Sequence, residues 1–157
     1  MRRKAVFIRI VNTVLALCLV LVCTLFTGLT QGEHMAMNAL EQLGKPYRLG
    51  EEGPDRFDCS GLVLCCAERE GIIGLPRLVK DLYHSGRPVP LWALLPGDML
   101  CFDTERDADP CDHVGIWLGG NRFVHASSAK RKVIITELTG YYLEHCTGAR
   151  RIASPYF

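Results

Sequence analysis

Three residues combine types and spacing that could do nucleophilic chemistry: Cys59, His113 and His125. Cys59 follows Asp58, a good helix N-cap, and Leu62, Val63, Cys66 and Ala67 recur behind it at three-to-four spacing, which predicts a helix over 59–69 that begins at the cysteine itself. A thiol in the first helical turn meets unpaired backbone N–H groups and the positive end of the helix dipole. Both favour the thiolate, so its pKa is expected below the free value of about 8.5. His113 and His125 stand at the two ends of a predicted hairpin. A loop of three at 119–121 would put both on one sheet face, whereas a loop of two would put them on opposite faces. On one face, one imidazole can serve the thiol as base while the other orients it. The same three residues could also ligate zinc, but their spacing is not diagnostic of a zinc site. Thiol chemistry of this kind needs neither a metal nor an organic cofactor.

These groups must be held by elements that the pattern outlines. Ala36, Ala39, Leu40 and Leu43 predict a short amphipathic helix over 34–43, stopped by Gly44 and Pro46. Residues 44–57 read as a surface loop, and Gly71 ends the helix of Cys59. A loop with Pro76, Gly86, Pro88 and Pro90 follows, with a short helix at 77–84. Then the period changes to that of strands, at 98–102, 114–118, 122–126 and 133–136, followed by a helical turn at 141–146 and a last strand at 149–152. Helices followed by meandering strands predict an α+β domain with an antiparallel sheet. Asp103, Glu105, Asp107 and Asp109 alternate as in a calcium loop, but Ala108 replaces the required glycine and Val114 the bidentate glutamate, so this stretch reads as a solvated loop.

The chain is 48% apolar and 22% charged, which suits one globular domain and excludes disorder, collagen and coiled coil. Arg2, Arg3, Lys4 and Arg9 crowd the start, leaving 14 basic against 17 acidic side chains from Glu33 onward. No clustered basic face remains to suggest nucleic acid as a partner. The basic start leads into an apolar run over 10–29, which as a helix would reach roughly 30 Å, the thickness of a bilayer core. Residues 1–32 are therefore expected to be a signal peptide or an uncleaved membrane anchor, and 33–157 an exported domain in the cell envelope. Thr30 and Gly32 are small enough for cleavage, yet no Ala-x-Ala is present, so anchored and secreted forms both stay open. Leu17 and Val22 before Cys18 and Cys23 argue against lipidation. Export permits disulfides. Cys65 and Cys66 are expected in a helix core, and a bridge among Cys101, Cys111 and Cys146 is left open.

Five blocks in order now carry a resemblance: Gly44-Lys45-Pro46-Tyr47-Arg48, Phe57-Asp58-Cys59-Ser60-Gly61-Leu62-Val63, Leu95-Pro96-Gly97-Asp98-Met99, His113-Val114-Gly115-Ile116-Trp117-Leu118-Gly119 and His125-Ala126-Ser127-Ser128. Together they resemble the NlpC family of bacterial cell-wall cysteine peptidases, over about 36–151. The resemblance implies a papain-like fold in which the helix bearing the nucleophile packs on an antiparallel sheet bearing the histidines. It implies Cys59 as nucleophile, His113 as general base and acid, and His125 as the residue that orients His113. It further implies Tyr47 beside the nucleophile, at the oxyanion or substrate pocket, and Asp58 and Ser60 as contacts to a substrate amine. The implied substrate is a peptidoglycan stem peptide, cut between D-γ-glutamate and the diamino acid through an acyl-enzyme, without a cofactor. An amidase or acyltransferase of the same fold and a non-catalytic wall-binding protein are the competing readings.

Overall fold

The computed structural model describes residues 29–105 and 109–152. The basic start, the apolar run to residue 28, Cys18, Cys23, Asp107 and Ala108 lie outside them. Among the described residues no helix is long and apolar enough to cross a membrane.

Helix α1 spans Gln31–Leu40, three residues earlier than its apolar spacing predicts. The cause is a capping box: Thr30 Oγ1 accepts from the Glu33 N–H at 3.2 Å, and Glu33 Oε2 accepts from the Thr30 N–H at 2.7 Å. Helix α2 occupies Cys59–Arg69, as the Asp58 cap predicts. Short helices α3 (Val79–Leu82) and α4 (Gly140–Glu144) follow, with a single 3-10 turn at Leu91–Ala93.

Among the described residues six strands form one antiparallel sheet: β1 (Arg87–Val89), β2 (Met99–Phe102), β3 (His113–Gly119), β4 (Arg122–Ser127), β5 (Lys132–Glu137) and β6 (Cys146–Arg151), in the order β1-β6-β2-β3-β4-β5. The domain is thus α+β, as expected. Strand β1 is the element the pattern did not predict, because its Pro88 cannot donate to a ladder and is tolerated only at a sheet edge.

Side-chain alternation divides the core. Met99, Cys101, Val114, Ile116, Val124, Ala126 and Val133 face α1 and α2, where they meet Met35, Ala39, Leu62, Val63 and Cys66. Leu100, Phe102, Trp117, Phe123 and Leu138 form a second layer on the opposite face, against Leu94 and Tyr142. Central strand β2 is therefore buried at every position. Each fully buried side chain of this size contributes about 1.5–3 kcal/mol relative to exposure. Arg151 locks β6 to the start of β2 through a two-pronged pair with Asp98, Nε to Oδ1 at 2.7 Å and Nη2 to Oδ2 at 2.6 Å.

The β3–β4 hairpin differs from the predicted three-residue loop. Its turn holds only Gly120 and Asn121, both at positive φ (56° and 62°), as a type I′ turn requires. Trp117 faces Phe123 but Gly119 faces Arg122, so Leu118 is an extra residue, a bulge on β3. Gly119 takes up the irregularity at φ 87°.

Candidate active site

Cys59 is the first residue of α2, and the chain before it is pinned by Asp58. The carboxylate accepts from the Gly61 N–H at 2.8 Å, which caps the helix, and from the Gly50 N–H at 2.7 Å, which ties down the loop before it. It also pairs with Arg77 Nη2 at 2.6 Å. Arg77 reaches Ser60 Oγ through Nη1 at 2.5 Å and Glu52 Oε1 through Nε at 2.6 Å. One guanidinium therefore joins the loop over 50–57, the N-terminus of α2 and its own loop. Gly61 makes that crowding possible: a Cβ there would collide with the Glu51 carbonyl oxygen and sit 2.9 Å from Glu52 Cα.

The two histidines share a face and touch, His113 Nε2 to His125 Nδ1 at 2.7 Å. The expectation of a common face holds, but the loop length behind it does not. A two-residue turn alone would separate them; the bulge at Leu118 restores the parity. His125 Nε2 in turn meets Thr136 Oγ1 on β5 at 3.0 Å. His125 is fully buried, with Phe123 and Tyr142 rings 5.0 and 5.2 Å from its own, and Phe102 lies 6.0 Å from His113. With Nε2 held by His125, Nδ1 is the other ring nitrogen of His113. The Cys59 sulfur lies beside this strand, accepting from the Val114 N–H.

The expected lowering of the Cys59 pKa is not what the site produces. Burial, aided by the Asp58 carboxylate, pushes the thiol up to about 11, while the N–H groups of Val114, Ser60 and Cys59 pull weakly the other way. Burial likewise pushes His113 down to about 4 and His125 to about 3. The helix terminus was legible in the sequence and the desolvation was not. At rest the thiol of Cys59 and the imidazole of His113 are therefore each neutral. Burial raises Asp58 as well, but Arg77 and the Gly61 and Gly50 N–H groups outweigh it and hold the carboxyl below its usual range. Burial, then repulsion from Asp58 and from Cys59 once it ionises, raises the Tyr47 phenol.

Cys59 and His113 open together into a cleft of about 600 Å³, whose lining includes Tyr47, Asp58, Ser60, Arg77, Glu105 and Asp112. All six residues expected at a site border the cleft or, for His125, the residue behind it. Asp58 and Ser60 are already engaged by Arg77. Asp112 accepts from Thr104 Oγ1 at 2.7 Å and from the Glu105 N–H at 2.5 Å, and so shapes the rim beside His113. Sequence reasoning missed Arg77 and Thr136. Arg77 had a signal, a lone cation within the apolar stretch 72–79; Thr136 had none until β5 was registered against β4. Cys66 is buried in the core as expected and Cys65 half-buried. Cys101, Cys111 and Cys146 are free thiols, with Cys101 and Cys111 hydrogen-bonded to each other. Among the described residues no group of three or more His, Cys, Asp or Glu is arranged to hold a metal ion.

A thiol at a helix N-terminus, set against paired histidines on an antiparallel sheet, defines the class of papain-like cysteine hydrolases. The chain belongs to the NlpC/P60 family, whose model matches residues 44–151. It is 36% identical over 126 residues to murein DD-endopeptidase MepH of Escherichia coli K12, covering 77% of this chain and 46% of that protein. It is 33% identical over 111 residues to the same organism's murein DD-endopeptidase MepS/murein LD-carboxypeptidase, covering 71% of this chain and 57% of that one. The match thus spans about half the length of these curated relatives. Among solved structures, NlpC1 of Trichomonas vaginalis superposes with a TM-score of 0.71 at 29% identity, covering 80% of this chain and 45% of that one. The peptidoglycan hydrolase RipB of Mycobacterium tuberculosis does so with a TM-score of 0.67 at 27% identity, covering 79% and 65%.

Proposed function

We propose that this chain is a peptidoglycan endopeptidase that works by thiol chemistry, with Cys59 as nucleophile, His113 as general base and acid, and His125 as the residue orienting His113. The observation that carries the reading is the opening of Cys59 and His113 into one cleft, with the far nitrogen of His113 already held by His125. Because the resting pair is neutral, the thiol gives its proton to Nδ1 of His113 as the sulfur attacks the peptide carbonyl. In this reading the Cys59 N–H at the helix terminus and the Tyr47 phenol donate to the developing oxyanion. His113, now an imidazolium, protonates the leaving amine, and water then releases the acyl group. No step calls for a metal or an organic cofactor.

Tyr47, Asp58 and Ser60 form the substrate-facing wall. A substrate amine reaching Asp58 shares that carboxylate with Arg77. Two bonds compete as the target. The family resemblance favours the bond between D-γ-glutamate and the diamino acid, whereas the names of MepH and MepS favour a D,D bond of the cross-link. Such a substrate lies outside the cytoplasmic membrane, which fits 1–32 as a leader or anchor and 33–157 as the catalytic domain of the cell envelope.

The test is digestion of purified cross-linked muropeptides by the full chain beside Cys59→Ala, read by mass spectrometry. Loss of dimers to intact monomers identifies the D,D bond, and a fragment ending in D-γ-glutamate identifies the other. Equal digestion by Cys59→Ala, or none by the wild type, overturns the reading.

A further inference from the structure

Thr136 lies outside the cleft and touches neither Cys59 nor the space a substrate would fill. Its hydroxyl instead ends a line of hydrogen bonds that starts at the thiol's partner: His113 Nε2 to His125 Nδ1 at 2.7 Å, then His125 Nε2 to Thr136 Oγ1 at 3.0 Å. On the sheet, Ile134 of β5 faces His125, so Thr136 is its diagonal neighbour on the same face. His125 is fully buried, so water can meet the line only at its half-buried Thr136 end.

We infer that Thr136 is a positioning residue whose hydroxyl, as the acceptor that closes this line, sustains the tautomer in which His113 can act as a base. The inference rests on the proposed role of His113. Two arrangements satisfy every bond. In one, His113 carries its proton on Nε2 and donates to His125 Nδ1, while His125 carries its proton on Nε2 and donates to Thr136 Oγ1. Nδ1 of His113 is then bare and can receive the thiol proton. In the other, the Thr136 hydroxyl donates to His125 Nε2, His125 donates from Nδ1 to His113 Nε2, and the proton of His113 sits on Nδ1, where it blocks the transfer. Both rings are neutral at rest, as burial favours, so each has one proton to place. The productive direction survives proton transfer unchanged, since the imidazolium of His113 still donates from Nε2 to His125. With Thr136 accepting, nothing behind His113 has to reorganise during the reaction.

Removing the hydroxyl strands a buried N–H on His125 Nε2 if the productive direction is kept, which disfavours that direction. Thr136→Val is therefore expected to lower kcat roughly 10- to 100-fold with KM changed less than about twofold, and Thr136→Ser to restore kcat. Nitrogen-15 NMR of the histidine rings at neutral pH gives a readout that packing alone would not move. Wild type and Thr136→Ser should show the Nε2–H tautomer for both His113 and His125, and Thr136→Val a shift of both toward Nδ1–H. Unchanged tautomers in Thr136→Val overturn the inference, as does a kcat that Thr136→Ser fails to restore. The ring spectra are independent of turnover, so inactivity of the wild type toward muropeptides would sink the proposed function while the tautomer comparison still decides the role of Thr136.

Discussion

Replacing Asp58 by Asn tests whether one buried carboxylate both builds the site and sets its electrostatics. Asn keeps one acceptor oxygen, so the cap on the Gly61 N–H survives, Asn and Asp being comparable caps. The second oxygen is lost, and with it the bonds from the Gly50 N–H and from Arg77 Nη2. Hydrogen bonds to a charged group contribute about 1.5–3 kcal/mol each. The Arg77 side chain is 31% exposed and keeps Glu52, so its share is reduced, giving a net loss of about 2–4 kcal/mol. For a domain of this size that corresponds to a fall in Tm of roughly 10 °C. Because the folded pKa of Asp58 is held below its unfolded value near 4, the carboxylate's contribution is fully present above that pH. It is lost as the pH falls through the folded value, where protonation does what Asn does. Urea unfolding of both proteins at pH 7 and at pH 3 should therefore show a gap that narrows in acid. Mass-mapped alkylation of Cys59 at pH 8 should be faster in Asp58→Asn, because a like charge beside the thiol is gone. A stability loss below about 0.5 kcal/mol at pH 7, a gap that does not narrow in acid, or slower alkylation would refute this account.

Three further outcomes follow from the same geometry. His113→Ala should abolish turnover of muropeptides, while His125→Ala should leave a measurable residue, since orienting a base costs less than losing it; initial rates for the two variants decide the order. Gly61→Ala should destabilise the fold by about 1–3 kcal/mol by driving a methyl group into the loop at Glu51 and Glu52, as chemical denaturation would show. Arg77→Lys keeps the charge but replaces three directed N–H groups by a single ammonium, so it should lower Tm by several degrees and widen the mobility of the 50–57 loop in hydrogen exchange.

What could be read from the sequence was local. The start of α2 at Cys59 follows from one capping residue and one apolar period, and both are written in neighbouring letters. The strands from β2 to β5 were placed to within a residue or two for the same reason. The start of α1 slipped because its apolar spacing begins inside the helix, whereas its first turn is set by Thr30 and Glu33. Long-range facts were out of reach. The electrostatic state of Cys59 depends on how much protein surrounds it, and the roles of Arg77 and Thr136 depend on which loop or strand folds back against them. The common face of His113 and His125 was inferred by counting a loop one residue too long, and the bulge at Leu118 compensated.

That compensation has a consequence for how the hairpin can change over time. Between the two imidazoles the strand pair works like a reading frame of two. An insertion or deletion of one residue inside the paired stretches, 114–117 or 123–124, would swing His125 to the helix side of the sheet and leave the second aromatic layer without its polar centre. Loss of Leu118 alone would only remove the bulge, keeping Trp117 opposite Phe123 and Gly119 opposite Arg122, and a residue added in the turn would leave the ladder as it is. Length variation in this hairpin should therefore gather at Leu118 and the turn, and a library of single deletions along it should stay active at 118 and lose activity at 114–117.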